Sequence, residues 1–359
     1  MAAEKWRSEI RKGRGATRSP DARYLENQRE YFDDGWPAEA APAVLKTTVV
    51  EEHPKSIINR NKSPDLPFEL SINPYRGCEH GCIYCYARPA HAFVDLSPGL
   101  DFESKLFAKP DAAKILRDEL TRPKYRCSPI SIGANTDAYQ PLERSYKITR
   151  SLIEVLAACD HPLTIITKSC LVERDIDLLK PMAEKNLVQV FVSITTTDVE
   201  LARRMEPRAS APARRLKTLE RLAAANIPAG VMVAPIIPAL NDVEIENILG
   251  LAAQAGARFA GYVMLRLPRE VCGMFEDWLR THYPLKFSRV MANIEDVRSG
   301  KRSDATFGRR MRGEGPVAEL IRQRFAKACR DKALNRSRHD LNCTLFRPPV
   351  ADGAQMNLF

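Results

Sequence analysis

The chain has 359 residues, 44% of them hydrophobic and 28% charged, with a formal net charge of +10. That is ample apolar material for one large core domain with extensions, and no apolar run approaches the roughly 18 residues that would span a membrane. The opening Met-Ala-Ala-Glu-Lys-Trp-Arg lacks the apolar centre of a secretory signal. Nine cysteines, six of them scattered, fit a reducing compartment better than a disulfide framework, so a cytoplasmic protein without a membrane anchor is expected.

Charge is concentrated at the ends. Residues 1–24 carry seven Lys/Arg against three acids and residues 301–350 thirteen against five, while the remainder sums to −2. Flanking basic segments suit phosphate contact, because Lys and Arg gain affinity by releasing counterions; solvated helix faces would give the same pattern.

Residues 1–65 are rich in charge and proline, with Gly-Arg-Gly-Ala at 13–16 and Trp36 as a candidate anchor. They read as an extended or partly disordered arm. A turn at Ser63-Pro64-Asp65 introduces a strand over 66–75, which feeds the stretch 73–91 around which the chain is organised. There Cys78, Cys82 and Cys85 stand at Cys-x3-Cys-x2-Cys spacing. Three thiolates can hold one metal centre, and a [4Fe-4S] cube bound by only three cysteines keeps one iron open to a substrate or cofactor. Gly77 and Gly81 allow the positive φ of a tight loop, and Tyr84 adds an aromatic surface. A zinc site completed by His80 or His91 uses the same donors, although structural zinc usually draws on two separated ligand pairs. Reduced thiols without a metal are the third reading.

Beyond the loop, strands and helices alternate. Helices are expected at 112–120, 150–159, 175–184, 214–225 and 242–255, and strands at 129–136, 163–168, 187–195, 230–237 and 259–267. With 66–75 this makes six nearly continuous apolar strands, which is the pattern of parallel strands covered on both faces. Sequential right-handed β-α-β units close into a barrel whose chemistry lies at the C-terminal strand ends; a doubly wound sheet satisfies the same periodicity. Over 66–270 the core is therefore α/β, and the cysteine loop lies where a barrel places its active site.

The strand ends supply further candidates. Asn135, Thr136 and Asp137 follow the second strand and can hydrogen-bond an amino acid, or simply cap a turn. Lys168, after the third, can neutralise a carboxylate or phosphate. Cys170 can offer the hydrogen of its thiol or serve as a small buried hydrophobe. Ser193 and Thr195 alternate on one strand face and can point toward a ribose or carboxylate. Pro207 forces a bend between Glu206 and Arg208, for which a Glu–Arg pair is one use. Asn241 or Asp242 can cap the next helix, and the Arg266-Leu267-Pro268 end is apolar enough to pack on a flat ring.

Residues 271–350 read as a basic helical extension, with helices at 275–280 and 317–329. Between them Thr306-Phe307-Gly308-Arg309-Arg310-Met311-Arg312-Gly313 interleaves aromatic and arginine residues as phosphate or base contacts would require. A lid over the barrel is the competing use. The tail, 351–359, ends in Gln355-Met356-Asn357-Leu358-Phe359.

The cysteine loop resembles the signature of the radical S-adenosylmethionine (radical SAM) superfamily. Together with Thr-Asp-Ala-Tyr-Gln-Pro-Leu-Glu, Ser-Ile-Thr-Thr-Thr-Asp, Glu-Pro-Arg-Ala, Pro-Ile-Ile-Pro and Leu-Arg-Leu-Pro, it looks like the bacterial group related to spore photoproduct lyase. The resemblance implies a partial (β/α)6 TIM-type barrel and a [4Fe-4S] cluster held by Cys78, Cys82 and Cys85. It also implies S-adenosyl-L-methionine on the open iron, with Tyr84 near its adenine. In that superfamily an electron, from a donor such as flavodoxin or ferredoxin, cleaves the sulfonium to a 5′-deoxyadenosyl radical that abstracts hydrogen from a substrate. Asn135, Thr136 and Asp137 replace the Gly-Gly-Glu run common in the superfamily. DNA or RNA is the first candidate substrate, with a protein, a small molecule or a non-catalytic iron–sulfur role as alternatives. The tail resembles the peptide by which bacterial repair proteins dock on the sliding clamp, through Gln355, Leu358 and Phe359.

Overall fold

The computed structural model describes residues 10–25, 45–337 and 339–349. Trp36 and the clamp-like residues Gln355, Leu358 and Phe359 lie outside them.

Among the described residues ten strands form in chain order: β1 (Thr48–Glu51), β2 (Ile58–Arg60), β3 (Leu70–Ile72), β4 (Tyr75–Arg76), β5 (Lys105–Ala108), β6 (Ile130–Ile132), β7 (Leu163–Thr167), β8 (Val188–Ser193), β9 (Ala229–Ile236) and β10 (Phe259–Met264). Seven build one sheet in the order β10-β9-β8-β7-β6-β3-β2. Neighbours from β3 to β10 are parallel, with Ile72 beside Ile132 and Ile132 beside Ile165; β2 adds antiparallel to the β3 edge. The six parallel strands lie in sequence order, as an α/β partial barrel requires, and Leu70, Ile72, Ile130, Ile132, Leu163, Val190 and Val231 are buried in its core.

Helices Ala112–Leu120, Ile148–Ala158, Ile176–Glu184, Pro212–Ala224 and Ile245–Gln254 return the chain between strands. In Ile148–Ala158, the side chains of Ile148, Leu152, Val155 and Leu156 form the buried stripe, each contributing roughly 1.5–3 kcal/mol by leaving water. Asp198 starts Val199–Met205 by accepting from the Glu200 and Leu201 amides at 2.8 and 3.1 Å, and the helix ends before Pro207.

Three expectations change. The first strand is shorter than 66–75, running Leu70–Ile72, with Pro67 before it and Pro74 after it, neither of which has the N–H that a ladder needs. The stretch read as an extended arm contributes β1 and β2, and β1, β5 and β4 form a second, three-stranded sheet beside the cysteine loop. The helix expected at 275–280 runs Glu270–His282, with Trp278 fully buried and its Nε1 donating to the Arg204 carbonyl at 3.1 Å. Among the described residues no helix is long and apolar enough to cross a membrane.

Residues 339–349 cross the end of the barrel opposite the cysteine loop, where Asn342 N donates to Asn186 O at 2.9 Å and Arg347 N to Cys159 O at 3.0 Å. Phe346 meets His161 edge-on at 5.1 Å. His161 is fully buried between Tyr125 Oη and the Pro162 carbonyl, and burial pulls its pKa down to about 4. The unfolded chain therefore binds this proton first, so stability is complete above the ordinary value of about 6.5 and declines as pH falls toward about 4. The full shift corresponds to about 3 kcal/mol. Melting temperatures of His161→Gln are expected to fall less steeply than wild type between pH 7 and 4.5; equal slopes would refute this assignment.

Candidate metal centre and active site

The cysteine loop leaves the C-terminal end of β3 and lies between the barrel mouth and a layer made by helix Glu270–His282. Ile83 and Tyr84 pack there with Leu201, Met205, Leu265, Leu267 and Phe275. Gly77 and Gly81 both take positive φ, +75° and +68°, and a Cβ at Gly77 would crowd Leu106 Cδ2 at 2.7 Å. Successive turns, Cys85 N to Cys82 O at 3.2 Å and Arg88 N to Cys85 O at 3.3 Å, coil the chain through the last two cysteines.

Cys78 and Cys82 are buried, Cys85 is half-buried, and all three are free thiols. Burial, then Asp137 and the other two sulfurs, raises the Cys78 pKa well above its ordinary value. Burial likewise pushes Cys82 up to about 12, against the opposing pull of Lys168. Such thiols keep their protons until a cation replaces them, which couples metal binding to proton release. The donor set fits an iron–sulfur cluster in kind: sulfur ligands alone, one for each of three irons. Among the described residues no three His, Cys, Asp or Glu side chains are grouped closely enough to hold a single metal ion. Each of the two histidines considered for zinc has one ring nitrogen engaged elsewhere. His80 Nδ1 faces Asp137 Oδ2 at 3.4 Å, and His91 Nε2 lies 2.9 Å from the Lys105 carbonyl with its ring against Phe102.

Of the other expected residues, the structure gathers Tyr84, Asp137, Lys168 and Thr195 around the loop. Tyr84 Oη donates to Glu206 and lies 3.3 Å from Thr195 Oγ1, and Lys168 Nζ stands 5.9 Å from the Tyr84 ring centroid. Although burial opposes it, the Lys168 pKa is raised, by Cys82 once its sulfur is ionised and by the Glu206 carboxylate. Asp137 accepts from Thr167 Oγ1 and the Lys168 amide, both at 2.7 Å, so it braces the ends of β6 and β7. Its pKa is lowered: burial works against this, and His80 with these donors prevails. Ser193 closes β8, and its carbonyl receives Arg215 Nη1 at 3.0 Å. Thr195 lies past the end of β8 rather than within it.

The remaining candidates take other positions, three of them on the flanks of the 73–91 stretch. Asn135 is exposed, with its amide on Asn73 Oδ1 at 2.9 Å, and Thr136 Oγ1 donates to the Tyr75 carbonyl at 2.8 Å. Cys170 begins a 3-10 turn, its amide on Ser210 Oγ at 2.9 Å. Arg266 stacks on Tyr86 at 5.4 Å.

Sequence reasoning missed the buried partners that fix this site. Glu206 pairs with Arg215, not with Arg208, whose guanidinium reaches Glu79 at 3.0 Å instead. Burial disfavours the Glu206 carboxylate, yet Arg215 and Lys168 take its pKa down to about 2. Arg88, fully buried, donates to Cys82 O at 2.9 Å and Gly81 O at 3.1 Å and pairs with Glu103 at 2.5 Å. Gln140 spans the loop, accepting from Glu79 N at 2.9 Å and donating to Gly77 O at 3.1 Å. Asn241 precedes the 3-10 turn Asp242–Glu244, but its side chain does not cap it; that side chain accepts from Ile237 N and donates to Thr195 O and Pro235 O, joining the ends of β8 and β9. The available signal was placement alone: each lies near a loop or strand end, and the partners lie at separations as different as 4 residues (Asn241 and Ile237) and 63 (Gln140 and Gly77), with no periodicity to single them out.

The radical SAM superfamily model matches residues 72–252, which span the loop and most of the barrel. The chain belongs to the radical SAM superfamily. It is accordingly an enzyme, and its cofactors are a [4Fe-4S] cluster and S-adenosylmethionine. An uncharacterized protein of Mycobacterium tuberculosis is 39% identical over 64% of this chain and 69% of its own length. One of Methanocaldococcus jannaschii is 28% identical over 68% of this chain and 87% of its own length. Among solved structures, spore photoproduct lyase complexed with dinucleoside spore photoproduct superposes with a TM-score of 0.57 at 16% identity, covering 83% of this chain and 84% of that one. At that identity the likeness shows a shared fold.

Proposed function

We propose that this radical SAM enzyme acts on nucleic acid, with Cys78, Cys82 and Cys85 as the three cluster ligands. When bound, the cluster and S-adenosylmethionine supply a carbon radical able to abstract hydrogen. The chain's own residues hold and shield that site. Lys168 offers a fixed positive charge beside Cys82 for an anionic group such as a carboxylate or phosphate, while Tyr84, Thr195 and Glu206 fill the neighbouring wall of the mouth.

The observation that carries the substrate class is the rim beside Cys85. Tyr86 is 46% exposed under the Arg266 guanidinium, and Phe307 is 55% exposed under that of Arg310 at 4.5 Å. Asp65 ties the basic stretch to the barrel, through Arg310 Nε at 2.5 Å and the Gly308 amide at 2.6 Å. Exposed aromatic faces alternating with guanidinium groups suit base stacking and phosphate contact. The solved relative with dinucleoside spore photoproduct supports the same class of ligand. We further assign the electron to a small donor such as flavodoxin or ferredoxin, and residues 355–359 to clamp docking.

Release of 5′-deoxyadenosine from the reconstituted, reduced enzyme tests this. DNA or RNA oligonucleotides are expected to stimulate it, with affinity falling steeply as salt rises. Phe307→Ala with Arg310→Ala is expected to weaken binding by about 2 kcal/mol, the scale of one lost base stack. Absence of stimulation by either nucleic acid, with stimulation by a peptide or metabolite, would transfer the assignment to that class.

A further inference from the structure

Residues 10–25 lie against the outer side of the cysteine loop, and the contact is backbone to backbone. A Cβ on Gly15 would overlap the Gly81 carbonyl oxygen, so no side chain fits there. The Gly15 and Ala16 amides donate to the two oxygens of Glu103 at 3.0 and 2.9 Å. The same carboxylate receives Arg88, whose other donors hold the Gly81 and Cys82 carbonyls. Arg14, itself buried, donates to Glu103 O at 2.5 Å and Leu45 O at 2.6 Å. Farther along, Ser19 Oγ accepts from Leu100 N at 3.0 Å, and Arg23 forks onto Glu270. A buried carboxylate thus joins the N-terminal segment to the two peptide units preceding Ile83, between the first and third cysteines.

We propose that Arg14, Gly15 and Ala16, acting through Glu103 and Arg88, form a clasp that sets the position of Cys82 and thereby the retention and electronic environment of the cluster. This rests on Cys78, Cys82 and Cys85 being the ligands. The three clasp residues are positioning residues. They touch no sulfur, yet Arg88, held by the same Glu103 carboxylate, is the charged side chain that binds the Gly81 and Cys82 carbonyls, while Glu79 of the same loop pairs separately with Arg208. Opening the clasp leaves the Glu103–Arg88 pair to find new donors and frees the loop that carries Cys82. The Gly-Arg-Gly-Ala run at 13–16 is explained by this geometry: arginine for the distant carbonyls, and glycine where two backbones touch.

The test uses the full-length protein, reconstituted anaerobically, in four variants: Gly15→Val, Gly15→Ala, Arg14→Met and Arg23→Ala. Far-UV circular dichroism, iron per chain, the rate of iron loss to a ferrous chelator and the electron paramagnetic resonance spectrum of the reduced cluster are recorded for each. Outer-shell partners commonly change metal affinity by 10–100-fold, so Gly15→Val and Arg14→Met are expected to lose iron about tenfold faster and to shift the spectrum. Arg23→Ala, which releases only the distant anchor, is expected to match wild type. A folded Gly15→Val or Arg14→Met with wild-type iron content, loss rate and spectrum overturns the proposal. If Gly15→Val fails to fold, Gly15→Ala and Arg14→Met are judged by the same criteria. Cys82→Ala run in parallel keeps the two assignments apart: iron retained in it overturns the ligand assignment, and with it the clasp's role, whatever the Gly15 variants do.

Discussion

Cys82→Ala is expected to remove the iron–sulfur absorbance of the reconstituted protein and all release of 5′-deoxyadenosine, while Cys127→Ala, Cys159→Ala and Cys329→Ala retain both. The difference follows from position. Cys82 is buried on the loop beside Cys78 and Cys85, within the electrostatic reach of both. Cys159 instead caps its own helix, its Sγ on the Val155 carbonyl at 3.1 Å, and Cys329 is buried in helix Gly315–Asp331. A cluster with two cysteine ligands exposes two irons to water and chelators, and loss of one thiolate also leaves the loop without the cross-link that metal binding supplies. Iron per chain together with absorbance separates this from simple loss of activity. A Cys82→Ala protein that keeps a full complement of iron and sulfide would show that the ligands lie elsewhere.

The barrel was legible in the sequence because each strand is a short apolar run closed by turn residues, and each connecting helix carries its own buried stripe. Helix Ala112–Leu120 appears with the expected bounds. The cysteine loop was legible because the donor spacing is local. What escaped detection is held together across the chain. Gly15 and Gly81 are 66 positions apart in the sequence, and a four-residue run rich in glycine has no periodicity to mark it as buried. The pairing of Glu206 was misjudged for a related reason. Arg208 is the nearer cation in sequence, but Pro207 turns the chain so that Glu206 faces the first turn of helix Pro212–Ala224, where Arg215 enters the interior. Burial then selects the partner: Arg215 and Glu206 are 1% and 3% exposed, whereas Arg208 stays at the surface.

Glu206→Ala is expected to destabilise the protein by about 3–5 kcal/mol, the usual cost of leaving one member of a buried ion pair without its partner. Arg215 would keep its donors to Ser193 O at 3.0 Å and Ser210 O at 2.6 Å but lose its counter-charge. Tyr84 Oη and Thr195 Oγ1 would lose a common acceptor. The double variant Glu206→Leu with Arg215→Met removes both charges and is expected to recover most of the loss, since apolar residues of similar volume often replace a buried pair without penalty. The pH dependence has a definite sign. Because the folded carboxyl titrates at about 2, below its ordinary 4.5, its stabilisation is complete above about 4.5 and is lost as pH falls toward 2. Denaturant melts of wild type, Glu206→Leu, Arg215→Met and their double variant at pH 7 and pH 4 complete the cycle, with Glu206→Ala measured beside them. Equal stability of Glu206→Ala and wild type at pH 7 would mean that the pair is not what holds the wall of the active site. A double variant as weak as Glu206→Ala would instead place the cost in lost packing around Tyr84.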